Sequence, residues 1–227
     1  IEVPLIVTKE SGVNDYLDRD GSRTPIDFPC GLGLERRMEC QVVQAATKWK
    51  RLALKQFQCG VGEGINTDMR AVRKDYFLDH DHSSYVDQWD WEKAITADQR
   101  NLDFLKDTVR RIWKVLVGAE KMVQQMYPQL KDPRSPNLPE ELHFVHAEEM
   151  LERYPDLPRK QRESEYLNEV APAIFIIGIG WVLEDGYPHE MRAADYDDWC
   201  TPTTTAKGKP AHGLNGDILV WNHLTKR

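Results

Sequence analysis

The stretch Ser84-Tyr-Val-Asp-Gln-Trp-Asp-Trp-Glu92 changes in chemistry from each residue to the next. Because successive side chains of a β-strand point to opposite faces of a sheet, this alternation predicts a strand with two unlike faces. The polar face carries Val86, Gln88, Asp90 and Glu92, and the aromatic face carries Tyr85, Asp87, Trp89 and Trp91. We expect the aromatic face to pack under a helix and the polar face to line a cleft, where an amide and a carboxylate together can grip an ammonium group. The alternative is an edge strand whose polar face is only hydrated.

Apolar periodicity on either side of that strand predicts a mixture of strands and helices. Further strands are predicted at residues 1–7, 39–43, 142–146, 173–179 and 217–221. Helices are predicted at residues 47–57, with Thr47 as N-cap, at 101–127 and 147–154, and in a fourth segment that ends near Val170. Since these elements lack the regular βαβ rhythm of a parallel sheet, the predicted fold class is α+β, with a mainly antiparallel sheet flanked by helices.

The bulk composition predicts one globular domain. A chain of 227 residues can bury one substantial core, so we expect residues 1–227 to form a single domain. Its longest apolar stretch, residues 173–182, is about half of the ~20 residues that a membrane helix needs, so no membrane association is expected. The net charge of −7 gives no general attraction for nucleic acid and favours small substrates. Four cysteines, Cys30, Cys40, Cys59 and Cys200, have neither metal nor disulfide-scaffold spacing, which predicts reduced thiols in the cytoplasm.

Charged clusters elsewhere supply further candidate groups. Lys48-Trp-Lys-Arg51 opens the first predicted helix, and Arg70 and Arg73 precede the polar strand. A guanidinium group suits phosphate oxygens, and a lysine suits a carboxylate or a phosphate. Residues 195–198 read Asp-Tyr-Asp-Asp, and carboxylates this close are costly unless Mg²⁺ or a substrate ammonium group lies among them. The alternative for both clusters is a solvated surface.

Five segments in order along the chain together resemble one known family. They are Lys48-Trp-Lys-Arg51, Tyr85-Val-Asp-Gln-Trp-Asp-Trp-Glu92, Arg153-Tyr-Pro-Asp-Leu157, Ala194-Asp-Tyr-Asp-Asp-Trp199 and Gly213-Leu-Asn-Gly-Asp-Ile-Leu-Val-Trp-Asn222. Their order and spacing resemble the ammonia-dependent asparagine synthetases, whose core is similar to the catalytic core of class II aminoacyl-tRNA synthetases. The resemblance implies an antiparallel sheet of six to eight strands, flanked by helices, in a homodimer.

The resemblance also implies a reaction and roles for seven residues. In the first step the β-carboxylate of aspartate attacks the α-phosphate of ATP and releases pyrophosphate, and in the second step ammonia displaces AMP from β-aspartyl-AMP. The resemblance assigns Gln88 and Asp90 to the ammonium group of aspartate, Lys50 to its carboxylate, Arg73 to the α-phosphate, Asp15 and Asp197 to the walls of the amino-acid pocket, and Asp217 to ATP and its Mg²⁺. The expected partners are therefore aspartate, ammonia and ATP.

This chain departs from the family pattern in two places. Gln44-Ala-Ala-Thr47 stands where relatives commonly have His-Ser-Leu-Ala, so a hydroxyl group that often touches the amino acid is absent. The chain begins at Ile1 and ends at Arg227, where the family would continue into an acidic segment and a glycine-rich motif with an ATP-binding arginine. We therefore expect the sequence to be a segment of a longer enzyme.

Two other functions are compatible with the same residues. The first is a non-catalytic synthetase paralogue that binds an amino acid or a protein partner. The second is an aspartyl-tRNA synthetase core, which the acidic charge balance and the lack of an anticodon-binding module disfavour.

Overall fold

A computed structural model describes residues 1–18, 20–31, 33, 37–75, 78, 82–132, 137–193, 196–224 and 226. Contacts between residues divide the chain into two compact units. The first unit consists of Ile1–Ala97 and Arg192–Asp197, and the second consists of Asp98–Met191 and Asp198–Arg227. Each unit has its own sheets and its own hydrophobic core.

Among its described residues, the first unit contains two small antiparallel sheets and one α-helix. Its elements are β1 (Ile6–Thr8), β2 (Asp27–Cys30), β3 (Met38–Val42), α1 (Thr47–Gln56), β4 (Gly64–Val72) and β5 (Tyr85–Lys93). Strand β3 lies between β1 and β2, and β4 pairs with β5 over nine residues of each strand. The predicted strand at residues 1–7 is shorter than expected, and β2 and β4 were not predicted. Strand β5, by contrast, lies where the alternating stretch predicts it.

The aromatic face of β5 is not packed under a helix, so that part of the prediction is wrong. Trp89 is 85% exposed, and Trp91 and Tyr85 are also exposed. The reason lies on β4, whose buried Met69 and Ala71 stand opposite Gln88 and Val86 and therefore share their face. Together with Val3, Val43 and Ala46, these two residues form the core of the unit. The interior is thus on the polar side of β5, and Lys50 of α1 reaches that side.

The second unit is built around one fully buried strand. Its elements are α2 (Leu102–Met126), β6 (His143–His146), α3 (Ala147–Arg153), α4 (Arg159–Glu169), β7 (Ala173–Ile177), β8 (Pro202–Thr204), β9 (Pro210–His212) and β10 (Gly216–Val220). Strand β7 lies between β10, which is antiparallel to it, and β6, which is parallel. Strands β8 and β9 form a separate antiparallel pair.

The two faces of β7 pack against different helices. Ile174 and Ile176 join the cluster that contains Met150 of α3 and Leu167 of α4. The alternate residues of β7, including Phe175, join a second cluster with the apolar side chains of α2. Because both faces are covered, β7 reads as a continuous apolar run, as its sequence predicts.

Helix α2 confirms the clearest helical prediction. Asn101 is its N-cap and accepts a hydrogen bond from the Phe104 amide at 2.9 Å, and Val109, Trp113 and Val117 form its buried stripe. Among the described residues, no helix is both long enough and apolar enough to cross a membrane. The predicted α+β class is confirmed, but the described strands form four small sheets in place of one sheet of six to eight strands.

His146 ends β6 and also caps the N-terminus of α3, and both contacts suit a neutral imidazole ring. Its Nδ1 atom accepts a hydrogen bond from the Glu148 amide at 3.1 Å, and its Nε2 atom lies 3.1 Å from the carbonyl oxygen of His212. Burial lowers the pKa of His146 below its ordinary value of about 6.5, against the opposing effect of the His212 carbonyl. A second proton would add a hydrogen to Nδ1. That hydrogen would clash with the amide hydrogen of Glu148, with which Nδ1 now forms a hydrogen bond.

We therefore predict that stability falls as the pH drops below about 6.5. In that range the unfolded chain binds a proton that the folded His146 ring does not, so acid favours unfolding. Urea unfolding at pH values between about 7 and 5 measures this slope. The His146→Asn variant keeps a capping acceptor without a titrating ring, so its slope is expected to be flatter. His143→Asn, which changes an exposed histidine on the same strand, is the matched control, and equal slopes in all three proteins would contradict the prediction.

Candidate active site

The first turn of α1 is held by a carboxylate that lies far away in sequence. Asp15 is 1% exposed, and its carboxylate accepts hydrogen bonds from the Thr47 amide and, at 3.1 Å, from the Lys48 amide. The N-cap position is Ala46, whose side chain has no hydrogen-bond acceptor. Thr47 is already the first residue of the helix, so the prediction of Thr47 as N-cap is wrong. A carboxylate at this end also interacts favourably with the helix dipole. Asp15 therefore fixes the position of α1 and of the lysine and arginine that follow.

Replacement of Asp15 by alanine is predicted to lower stability by about 1–2 kcal/mol, because two amides at the start of α1 lose their acceptor. Urea denaturation of the purified variant measures the change. Asp15→Asn keeps an acceptor oxygen in the same place and is expected to recover most of the loss. A loss in the asparagine variant as large as in the alanine variant would show that the cap is not the cause.

Gln44 connects the loop that carries Asp15 to the arginine predicted to bind phosphate. Its side-chain Nε2 donates to the backbone oxygen of Asp15 at 2.9 Å, and its own backbone oxygen accepts from Arg73 Nε at 3.1 Å. The Gln44 amide donates to Asn14 Oδ1 at 3.0 Å. The segment that departs from the family pattern thus has a positioning function, which its sequence alone did not reveal.

Lys50 is a buried lysine that two carboxylates of β5 neutralise. It is 2% exposed, and its Nζ atom forms an ion pair with Asp90 and lies 3.8 Å from a carboxylate oxygen of Glu92. An ammonium group this buried is costly unless it is paired, so the two acids explain how the lysine is tolerated. The polar face of β5 is therefore not merely hydrated, although among the described strands β5 pairs only with β4 and is an edge strand.

Arg51, next to Lys50, links three segments of the same unit. Its Nε atom lies 3.2 Å from Glu92 Oε1, and its Nη2 atom donates to the backbone oxygen of Tyr196 at 3.1 Å. The guanidinium group thus joins α1, β5 and the segment Arg192–Asp197. About half of the Arg51 side chain is exposed, so its ion pair adds little to stability. Its main effect is to hold the three segments in position.

Tyr196 contributes a partly buried phenol that the sequence did not single out. Burial, together with the nearby charges of Asp197 and Asp15, raises the pKa of Tyr196 to about 12, and Arg192 and Arg73 oppose the shift. The phenol therefore stays protonated at neutral pH and can donate a hydrogen bond. Arg192 Nε in turn holds Asp197 Oδ2 at 3.0 Å. The position of Tyr196 inside the acidic run Asp-Tyr-Asp-Asp is a sequence signal that could have identified it, but the prediction for that run concerned only its carboxylates.

Arg73 and Gln88 lie on the same face of the β4–β5 pair. Gln88 stands opposite Met69, and the ladder continues past β4 through a hydrogen bond from the Arg73 amide to the Ser84 oxygen at 2.8 Å. Residues 69, 71 and 73 therefore point to the face that Gln88 shares with Asp90. The phosphate-binding and ammonium-binding candidates face the same side of the pair.

The first unit brings together six of the seven predicted residues. They are Asp15, Lys50, Arg73, Gln88, Asp90 and Asp197. Asp217 lies on β10 of the second unit, opposite Ile176. Among the residues that the structure describes, no three His, Cys, Asp or Glu side chains form a group that could hold a metal ion. Asp195, the first acid of the predicted cluster, lies outside the described residues.

Comparison with known families and proteins identifies a close group of relatives. The model of a family described as aspartate-ammonia ligase matches residues 1–227. An aspartate--ammonia ligase of Bacteroides fragilis is 46% identical over 229 residues, with 100% of this chain and 62% of the relative covered. The same named protein of Parabacteroides distasonis is 42% identical over 227 residues, with the same coverage. The chain thus spans about three fifths of the length of these relatives.

Solved structures show the same fold at much lower identity. Asparaginyl-tRNA synthetase from Pyrococcus horikoshii, complexed with asparaginyl-adenylate, matches 96% of this chain and 45% of its own, with a TM-score of 0.62 and 13% identity. The Entamoeba histolytica asparaginyl-tRNA synthetase matches 96% of this chain and 43% of its own, with a TM-score of 0.51 and 16% identity. These matches confirm the predicted similarity to the class II synthetase catalytic fold.

Proposed function

The chain belongs to the aspartate–ammonia ligase family, and on that premise we propose that it makes asparagine from aspartate, ammonia and ATP. In this reaction an oxygen of the aspartate β-carboxylate attacks the α-phosphorus of ATP and pyrophosphate leaves. Ammonia then attacks the carbonyl carbon of β-aspartyl-AMP, loses a proton, and expels AMP. The prediction that residues 1–227 act as one catalytic domain belongs to this proposal, as do a homodimeric state and a cytoplasmic location.

The observation that carries the proposal is the pairing of buried Lys50 with Asp90 on the face that also carries Gln88. Aspartate is a zwitterion with an additional carboxylate, so its recognition requires a cation and an anion at neighbouring positions. The Lys50–Asp90 pair supplies both charges. We infer that Asp90 and Gln88 take the substrate ammonium group and that Lys50 takes a carboxylate, with the Lys50–Asp90 contact loosening as substrate enters.

Arg73 is the group that we assign to the α-phosphate. Its Nε atom donates to the backbone oxygen of Gln44 at 3.1 Å, which anchors the guanidinium group on the face that Gln88 and Asp90 share. A guanidinium group held in this way can stabilise the charge that develops when the phosphorus is attacked. Asp15 and Asp197, whose charges both act on the Tyr196 hydroxyl, would form the wall of the amino-acid pocket.

Mg²⁺ would be held by Asp217. Mg²⁺ keeps several waters and is commonly bound by one or two carboxylates together with substrate phosphates, so a cluster of three acids is not required. The carboxylate of Asp217, half-buried on β10, fits that need. When bound, the ion neutralises phosphate charge.

The test is an assay of the full-length protein with aspartate, ATP, Mg²⁺ and ammonium chloride. We expect AMP, pyrophosphate and asparagine in equal amounts, and no AMP when aspartate is left out. Formation of ADP in place of AMP would reject the proposed reaction. Tight binding of aspartate and ATP by calorimetry without turnover would favour the non-catalytic paralogue, and aminoacylation of tRNA would favour the synthetase core.

A further inference from the structure

Two of the four cysteines meet on neighbouring strands of the first unit. Strands β2 and β3 are antiparallel, with Phe28 opposite Cys40 and Cys30 opposite Met38. Opposite residues share a face of the sheet, and so do residues two apart along one strand, so Cys30 and Cys40 are diagonal neighbours on one face. The Cys30 thiol is also close enough to influence the Cys40 thiol electrostatically. The register therefore places both side chains on the same face of the β2–β3 pair, as neighbours along the diagonal.

We propose that Cys30 and Cys40 form a redox-active dithiol, which a peroxide converts to an intramolecular disulfide. Diagonal neighbours in an antiparallel pair are about 7–8 Å apart at Cα, just beyond the Cα separations of about 4.4–6.8 Å that a disulfide spans. Formation of the disulfide therefore requires a small backbone movement that brings β2 and β3 closer together at these two positions. This dithiol differs from the expectation of four unrelated reduced cysteines.

The two cysteines differ in access, and this difference sets the order of the steps. Cys40 is 4% exposed, whereas Cys30 is partly exposed and meets the oxidant first. The neighbouring Cys30 thiol and burial both raise the pKa of the Cys40 thiol, so Cys40 stays protonated until Cys30 has reacted.

The chemistry balances with one peroxide molecule. The Cys30 thiolate attacks a peroxide oxygen, the O–O bond breaks, and the departing hydroxide takes a proton to become water, which leaves a sulfenic acid. The Cys40 sulfur then attacks the sulfenic sulfur, the S–O bond breaks, and the leaving hydroxide takes the Cys40 proton as a second water. In total the two thiols lose two protons and two electrons to form the disulfide, and the peroxide is reduced to two molecules of water.

Peptide mapping of the oxidised full-length protein tests the proposal. The protein is treated with hydrogen peroxide in slight excess, free thiols are blocked with N-ethylmaleimide, and trypsin is added without reductant. Arg36 and Arg37 separate the two cysteines, which fall on the tryptic peptides 24–36 and 38–48. We expect these peptides to be linked, with a mass two hydrogens below their sum, and to separate on addition of dithiothreitol. If the map instead shows Cys30 oxidised but Cys40 alkylated by maleimide, Cys40 was still a free thiol after the peroxide treatment, and the proposal is overturned.

Serine variants test the order of the steps. In Cys40→Ser, the sulfenic acid on Cys30 has no resolving thiol, so dimedone is expected to label Cys30 strongly, whereas the wild type labels little. In Cys30→Ser, neither the linked peptides nor strong labelling of Cys40 is expected. Cys59→Ser and Cys200→Ser are the matched controls and should keep the wild-type yield of linked peptide. A comparable loss of linked peptide in these controls would overturn the proposal. If a variant fails to fold, the peptide map of the wild-type protein decides the question by itself.

Discussion

Replacement of Arg73 by alanine is expected to lower kcat by about 10²–10³-fold, the cost commonly found when one group that stabilises transition-state charge is removed. The KM for aspartate should change much less, because the proposed role of Arg73 concerns the phosphate as it reorganises and not the bound amino acid. Initial rates of AMP formation at varied aspartate and saturating ATP separate the two parameters.

Arg70→Ala is the matched control for this experiment. Arg70 lies on β4, three residues before Arg73, but on the opposite, exposed face, where it pairs with Asp68. We expect its kcat to stay within about twofold of wild type, since exposed surface substitutions of this kind have small effects. Equal losses in turnover and in aspartate affinity for Arg73→Ala would count against the phosphate role, as would a comparable loss in Arg70→Ala.

The Asp90→Asn variant is expected to lose about 3 kcal/mol of stability, the lower end of the range for removing one partner of a buried ion pair. The lysine left behind is 2% exposed, and its remaining carboxylate, on Glu92, lies 3.8 Å away. Aspartate binding should weaken as well, because the ammonium group loses its carboxylate. Chemical denaturation measures the first effect and calorimetry the second.

Two further variants separate these effects. Asp87→Asn changes the same residue type on the exposed face of β5 and should shift stability by less than about 0.5 kcal/mol. Adding Lys50→Met to Asp90→Asn removes the uncompensated charge and should restore most of the lost stability, since apolar replacements of buried ion pairs are well tolerated. Aspartate binding should stay weak in that double variant. A double variant no more stable than Asp90→Asn would contradict the ion-pair explanation.

The residues of the proposed site were largely predictable from the sequence, whereas their contacts were not. Gln88 and Asp90 share a face because of strand geometry, which is a local property. That Lys50 meets Asp90, and that Arg51 reaches Tyr196, depends on segments separated by 40 and 145 residues. No periodicity along the chain encodes such pairings.

Local periodicity by itself determined that residues 85–93 form a strand with two unlike faces, that Leu102–Met126 is an amphipathic helix, and that Ala173–Ile177 is buried. Each depends on side-chain directions within one element. Only the tertiary structure decided that the aromatic face of β5 is exposed, because alternation distinguishes two faces without saying which one another element will cover. The tertiary structure also made Asp15 the cap of α1. The free amides at the N-terminus of a helix can donate to any carboxylate that the fold brings near, whatever its distance along the chain.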